Sequence, residues 1–188
     1  VVEKKIIKKI IKPTLLALKK NGHFYKGFLY VGLMIKNDEP FLIEYNIRMG
    51  DPECQVILPR LKSDLINIIN KAIDNKLSKI SIKWRKEKCM TIVLCSKGYP
   101  GNYKKNSSIK NINKIPQNNK NFIFHAGTKE KDGKILSNGG RVLNIVSLGN
   151  NFLKIRKIII KIIKTLNWKN GFYRKDIGFK VIKKYESN

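Results

Sequence analysis

Apolar and polar residues along this chain follow two periods, and the changes of period divide it into elements. Residues 1–21 set Ile6, Ile7, Ile10, Ile11, Leu15, Leu16 and Leu18 among lysines at helical spacing, which predicts a basic amphipathic helix. Pro13 predicts a kink or interruption in it, and Asn21-Gly22 its left-handed end. Phe28–Lys36 and Phe41–Arg48 read as strands joined by a turn at Asn37-Asp38-Glu39-Pro40. Asp51 then stands where an N-cap belongs, with Pro52 at the first helical position and Glu53 in the first turn. That helix is expected to run through Val56, Leu58, Leu61, Leu65, Ile68 and Ile69 toward Asn75, bent near Pro59.

Composition shifts at the charged connection Trp84–Lys88, which marks a boundary between residues 1–86 and residues 87–188. Beyond it, Cys89–Ser96 reads as a buried strand, and Phe122–His125, Ile135–Leu136 and Val142–Ser147 as strands of a small antiparallel sheet. A polar Asn/Lys-rich stretch with weak strand signals at Ile109 and Ile112 intervenes, and residues 151–166 repeat the amphipathic helical pattern. The fold class is therefore α+β, without internal repeats.

At 188 residues the chain can bury one good core or two small ones. A net charge of +27 would ordinarily point to nucleic acid. The lysines are dispersed, however, and accompany an excess of Ile and Asn. All three are specified by A/T-rich codons, so codon bias explains them more simply than a specific nucleic-acid partner does. A basic nucleic-acid-binding module without catalysis stands as the alternative reading, resting on that charge and on Lys104–Lys120. Cys54, Cys89 and Cys95 make neither a Cys-x-x-Cys pair nor a zinc spacing, and read as reduced, buried thiols of a cytoplasmic protein. No apolar run is long enough to span a membrane.

The most informative residues for chemistry are Glu44, Asn46 and Arg48. Side chains two apart on a strand share a face, so all three are expected side by side. A carboxylate and an amide oxygen are hard donors that suit Mg²⁺, and a guanidinium offers a fork for carboxylate or phosphate. Read from these residues alone, a surface strand with a wet polar face accounts for them equally well. Asp51 is explained by capping alone. His125 has no carboxylate or nucleophile beside it in sequence and reads as structural. Asn138-Gly139-Gly140-Arg141 is either a hairpin turn or a close approach to phosphate.

Several blocks in order carry a resemblance. Residues 27–35 (GFLYVGLMI), the Glu44-x-Asn46-x-Arg48 strand, residues 50–65 (GDPECQVILPRLKSDL), 98–103 (GYPGNY), 124–128 (FHAGT), 137–143 (SNGGRVL) and 172–178 (FYRKDIG) resemble glycinamide ribonucleotide synthetases, the phosphoribosylamine–glycine ligases. These are ATP-grasp enzymes of purine synthesis. The resemblance implies the carboxy-terminal half of an ATP-grasp domain, an antiparallel sheet with helices, followed by a small mixed β/α domain. It also implies a longer enzyme, of which this chain, starting at Val1 within a helix, is the carboxy-terminal part. The implied substrates are ATP, glycine and 5-phosphoribosylamine, in a monomer. Glu44 and Asn46 would ligate the Mg²⁺ (or Mn²⁺) that bridges the ATP phosphates, and Arg48 would act catalytically, holding the transferring phosphate or the glycine carboxylate. Asp51 and Glu53 would face substrate, and Met34 would lie under the adenine; a core methionine is the competing expectation.

Overall fold

The computed structural model describes residues 1–116 and 118–186. The chain divides into two compact units: Val1–Asp51 with Ser63–Ile82, and Pro52–Lys62 with Lys83–Asn188.

In the first unit helical backbone runs from Val2 to Lys20, as α1 (Val2–Ile6), a π-helical segment (Ile7–Ile11) and α2 (Lys12–Lys20). The interruption expected at Pro13 is this π segment, which falls just before it, while the backbone stays helical through the proline. A proline in a helix lacks its N–H and pushes its ring against the carbonyl four residues back, and the wide π turn immediately before it relieves both demands. Gly22, at φ +80°, ends the helix, with the His23 N–H donating to Leu18 O at 2.9 Å. Strands β1 (Tyr30–Lys36) and β2 (Glu39–Asn46) form an antiparallel hairpin. Its turn is only Asn37-Asp38, both at positive φ (50° and 57°), so the second strand starts at Glu39, earlier than expected. Lys5 and Lys9 both pair with Glu39, and the Thr14 hydroxyl meets the Tyr45 hydroxyl at 2.5 Å, fastening helix to hairpin. Both ammonium groups donate hydrogen bonds to the Glu39 carboxylate, and they hold its pKa down to about 2.

The long helix expected from Pro52 to Asn75 is two helices. Here α3 (Cys54–Ile57) passes into a single 3₁₀ turn (Leu58–Arg60), and α4 (Leu65–Ile73) restarts after an extended Leu61. Two causes act together. Pro59 cannot donate into the ladder, and Leu61 bridges Trp84 while the Lys62 N–H donates to Lys83 O at 2.9 Å. The second helix, α4, has its own cap in Asp64, whose carboxylate accepts from the Asn67 N–H at 2.6 Å. Glu53 occupies the N-cap position of α3 without a side-chain cap bond, and Asp51 lies in the turn before it.

The second unit is built on a four-stranded antiparallel sheet, β4-β7-β3-β8, from β3 (Lys88–Ser96), β4 (Asn121–His125), β7 (Arg141–Gly149) and β8 (Gly171–Phe172). A separate hairpin, β5 (Thr128–Lys131) and β6 (Lys134–Ser137), turns at Asp132-Gly133. Helix α5 (Phe152–Thr165) is capped by Asn151 and lays Ile155, Ile159 and Ile163 into a core with Met90, Ile92, Leu94, Ile123, Leu143 and Ile145. That face explains the alternation in β3, and burial of both faces explains why β7 is nearly continuous in apolar residues. A closing helix, α6 (Phe179–Glu186), was not expected from the pattern.

Candidate functional site

On β2, Glu44 and Asn46 do share a face: the Asn46 Nδ2 donates to Glu44 Oε1 at 3.0 Å. Two features of the hairpin seat them. A bulge lies where Gly32 pairs with Glu44 and Leu33 pairs with Leu42, leaving Ile43 as the extra residue. Opposite Glu44 stands Gly32, and a Cβ there would sit 2.9 Å from Glu44 Cγ. The glycine thus opens the space that the carboxylate stem fills. Gly32 is the site residue the sequence reading passed over, although an isolated glycine inside a strand pattern was its signal.

Both side chains reach solvent, and among the described residues no cation pairs with the Glu44 carboxylate. With the Asn46 amide turned so that its oxygen faces outward, the pair presents two hard oxygens of the kind Mg²⁺ or Mn²⁺ takes. Among the described residues no group of three or more His, Cys, Asp or Glu side chains converges to hold a metal. The pair therefore fits a cation that draws most of its shell from a phosphate ligand and water, the usual arrangement for Mg²⁺.

Arg48 departs from expectation. The strand ends at Asn46, so the alternation that was to carry Arg48 onto the same face stops two residues short. Its Nη1 donates to Met49 O at 2.9 Å. Asp51 and Glu53 fall in different compact units. Met34 is no core residue: it is 58% exposed, paired in register with Phe41, which is 55% exposed. A two-stranded sheet has too little cover to bury it.

The remaining candidates resolve on geometry. None of the three cysteines is in a disulfide and all are half-buried rather than buried; burial pushes the Cys89 thiol up to about 11 and Cys95 upward. His125 ends β4 with its Nδ1 2.9 Å from Thr128 Oγ1. The Gly139-Gly140 pair is a packing requirement: a Cβ on Gly139 would lie 2.9 Å from Gly127 Cα, and one on Gly140 would overlap the Tyr99 ring.

Comparison with known proteins bears on the same residues. A family model described as phosphoribosylglycinamide synthetase, ATP-grasp (A) domain, matches residues 1–54, and one described as phosphoribosylglycinamide synthetase, C domain, matches residues 89–180. The chain belongs to the phosphoribosylglycinamide synthetase family. Among its relatives, the phosphoribosylamine–glycine ligase of Brucella melitensis is 41% identical over 97% of this chain and 43% of its own length. That of Caldanaerobacter subterraneus is 43% identical over 92% of this chain and 41% of its own. The crystal structure of phosphoribosylamine–glycine ligase from Thermotoga maritima superposes with a TM-score of 0.79 at 32% identity, covering 92% of this chain and 42% of that one. The chain thus spans about two-fifths of the length of these synthetases. Glu44, Asn46, Arg48, Asp51 and Glu53 all lie within the part matched to the synthetase ATP-grasp domain. Among the described residues no helix is long and apolar enough to cross a membrane.

Proposed function

We propose that this chain supplies the metal-holding hairpin and the C domain of a phosphoribosylamine–glycine ligase. That enzyme joins glycine to 5-phosphoribosylamine with ATP, giving glycinamide ribonucleotide, ADP and phosphate, as a cytoplasmic monomer. The observation that carries the reading is the Glu44–Asn46 pair, seated over Gly32 on a strand inside the ATP-grasp match. In this reading residues 1–86 belong to the ATP-grasp domain and residues 87–188 form the carboxy-terminal domain.

The chemistry requires glycine to be activated first. Its carboxylate oxygen attacks the γ-phosphorus of ATP, ADP leaves, and a glycyl phosphate forms; the amine of 5-phosphoribosylamine then attacks the carbonyl carbon and releases phosphate. Phosphoryl transfer is catalysed mainly by positioning and charge neutralisation. A bound Mg²⁺ (or Mn²⁺) would neutralise charge on the ATP phosphates, held here by Glu44 and Asn46. Arg48, always protonated, is assigned the transferring phosphate or the glycine carboxylate, which requires its guanidinium to leave the Met49 carbonyl. Asp51 and Glu53 are assigned to the substrate-facing loop, where the start of a helix favours anions. Met34, exposed on β1, is assigned to the adenine.

The test is a chimera in which this chain replaces the matching segment of the Thermotoga maritima ligase. Glycine-dependent ADP release is expected, and Glu44→Ala should lower it by at least about 10²-fold, the scale on which a misplaced catalytic group costs rate. A folded chimera without turnover would overturn the assignment to this reaction. Near-normal turnover with Ala at position 44 would remove Glu44 from the metal site.

A further inference from the structure

The second unit contains a cavity of about 560 Å³ lined by none of the residues assigned to the proposed ligase chemistry. It lies between the segment around Lys110–Ile115, the end of β4 and the β5–β6 hairpin, with Lys110, Asn111, Ile112, His125, Lys134 and Ile135 on its walls. These walls are held by backbone. The Ile109 N–H donates to Ile135 O at 2.9 Å, and Lys110 and Asn167 exchange N–H···O bonds of 3.1 and 3.2 Å. Asn111 takes a left-handed conformation (φ 66°), and its Nδ2 donates to Thr165 O at 3.2 Å. A surface cleft whose frame is tied at both sides is preformed for a ligand.

Its chemistry is one-sided. Lys110, Lys134 and His125 are among its lining residues, and among the described residues no Asp or Glu lines it. His125 has Nδ1 engaged by Thr128 Oγ1, which leaves Nε2 as the nitrogen available to a ligand. Lysine offers three donors and no acceptor, which suits an anion with several oxygens, and Ser108, Asn111 and Asn113 add neutral polar groups for the rest of a ligand. The volume exceeds that of a bare oxyanion and lies in the range of small-molecule sites. Ile112 and Ile135, both half-buried, give the remainder of the cleft an apolar floor.

We propose that this cavity binds a small phosphate monoester, with its phosphate on Lys110, Lys134 and His125 and its carbon body against Ile112 and Ile135. The site lies wholly within the second unit and does not depend on Glu44, Asn46 or Arg48.

The test titrates the isotope-labelled full chain with ribose 5-phosphate, D-ribose and inorganic phosphate, following backbone amide shifts at about 0.15 M salt. Ribose 5-phosphate should bind at about 1 mM or tighter, shifting residues 109–115, 125 and 134–135, with inorganic phosphate weaker at the same residues and D-ribose silent. Replacing Lys110 and Lys134 together by Ala should weaken binding at least about tenfold, since a charge-assisted hydrogen bond contributes on that scale. Both lysines are exposed, so the fold should survive, as an unchanged thermal melt would verify. The control is Lys157→Ala with Lys161→Ala, which removes equal charge from the exposed face of α5 and should leave the affinity unchanged. Absence of shifts at about 10 mM, equal loss in both double variants, or binding by D-ribose would each overturn the site. Glu44→Ala should leave these shifts intact, so this test and that of the ligase reading fail separately.

Discussion

Gly32→Ala offers the sharpest probe of the metal role proposed for Glu44 and Asn46, because it touches neither donor directly. The new Cβ would stand 2.9 Å from Glu44 Cγ, whereas carbon atoms rest at about 3.5–4.0 Å. Cγ must therefore withdraw by roughly 0.6–1 Å, and the carboxylate beyond it swings by at least as much. That movement opens the 3.0 Å bond between Asn46 Nδ2 and Glu44 Oε1 past hydrogen-bonding range. The stability cost should be small, below about 1 kcal/mol, since the lost bond is at the surface and Ala favours a strand over Gly. Metal binding should suffer far more, because a site 1 Å off its geometry loses on the order of 10-fold or more in affinity. The assay adds Mn²⁺ with ATP to the labelled chain and follows paramagnetic broadening of the amides near Glu44 and Asn46. The variant should need about ten times more Mn²⁺ for equal broadening, with an unchanged thermal melt. Broadening at the same Mn²⁺ concentration as in the parent chain would refute the seating of Glu44 over Gly32.

Three further outcomes follow from the packing and charge. Ile159→Ala, in the α5 core, should cost about 2–5 kcal/mol in denaturant unfolding, while Lys157→Ala on the exposed face should stay within about 0.5 kcal/mol; similar values would contradict the burial pattern. Asn144 is 1% exposed with neither side-chain polar atom hydrogen-bonded, so Asn144→Leu should be neutral or stabilising by about 1 kcal/mol; a clear loss would reveal a bridging water. Glu39, lowered to about 2 by Lys5 and Lys9, favours the folded state above its unfolded value near 4.5, and that contribution disappears as pH falls from about 4.5 to 2; its carboxyl resonance should titrate near 2 and move upward in 1 M salt, and an ordinary midpoint would show the pairs to be unformed.

Local pattern alone determined much of this protein. Runs of apolar residues located β3, β4 and β7 to within a residue or two, and helical periodicity with Asn151 at the cap located α5, because β3 and α5 each bury one face in a single core while β7 buries both. The i, i+2 relation of Glu44 and Asn46 was equally legible, being a property of any strand. What the chain could not announce locally were features set by partners distant in sequence. Pro59 signalled a bend, but the pairing of Leu61 with Trp84 turned it into a break and gave the second helix its own cap at Asp64. The two-residue Asn37-Asp38 turn and the bulge at Ile43 set the register, and with it the placement of Gly32 against Glu44. Arg48 lost its strand face because the ladder ran out at Asn46, which depends on where β1 begins rather than on Arg48 itself. The strand order β4-β7-β3-β8 and the cavity beside Lys110 and Lys134 likewise come from long-range pairing, whose free energy outweighs the weak preferences of single residues.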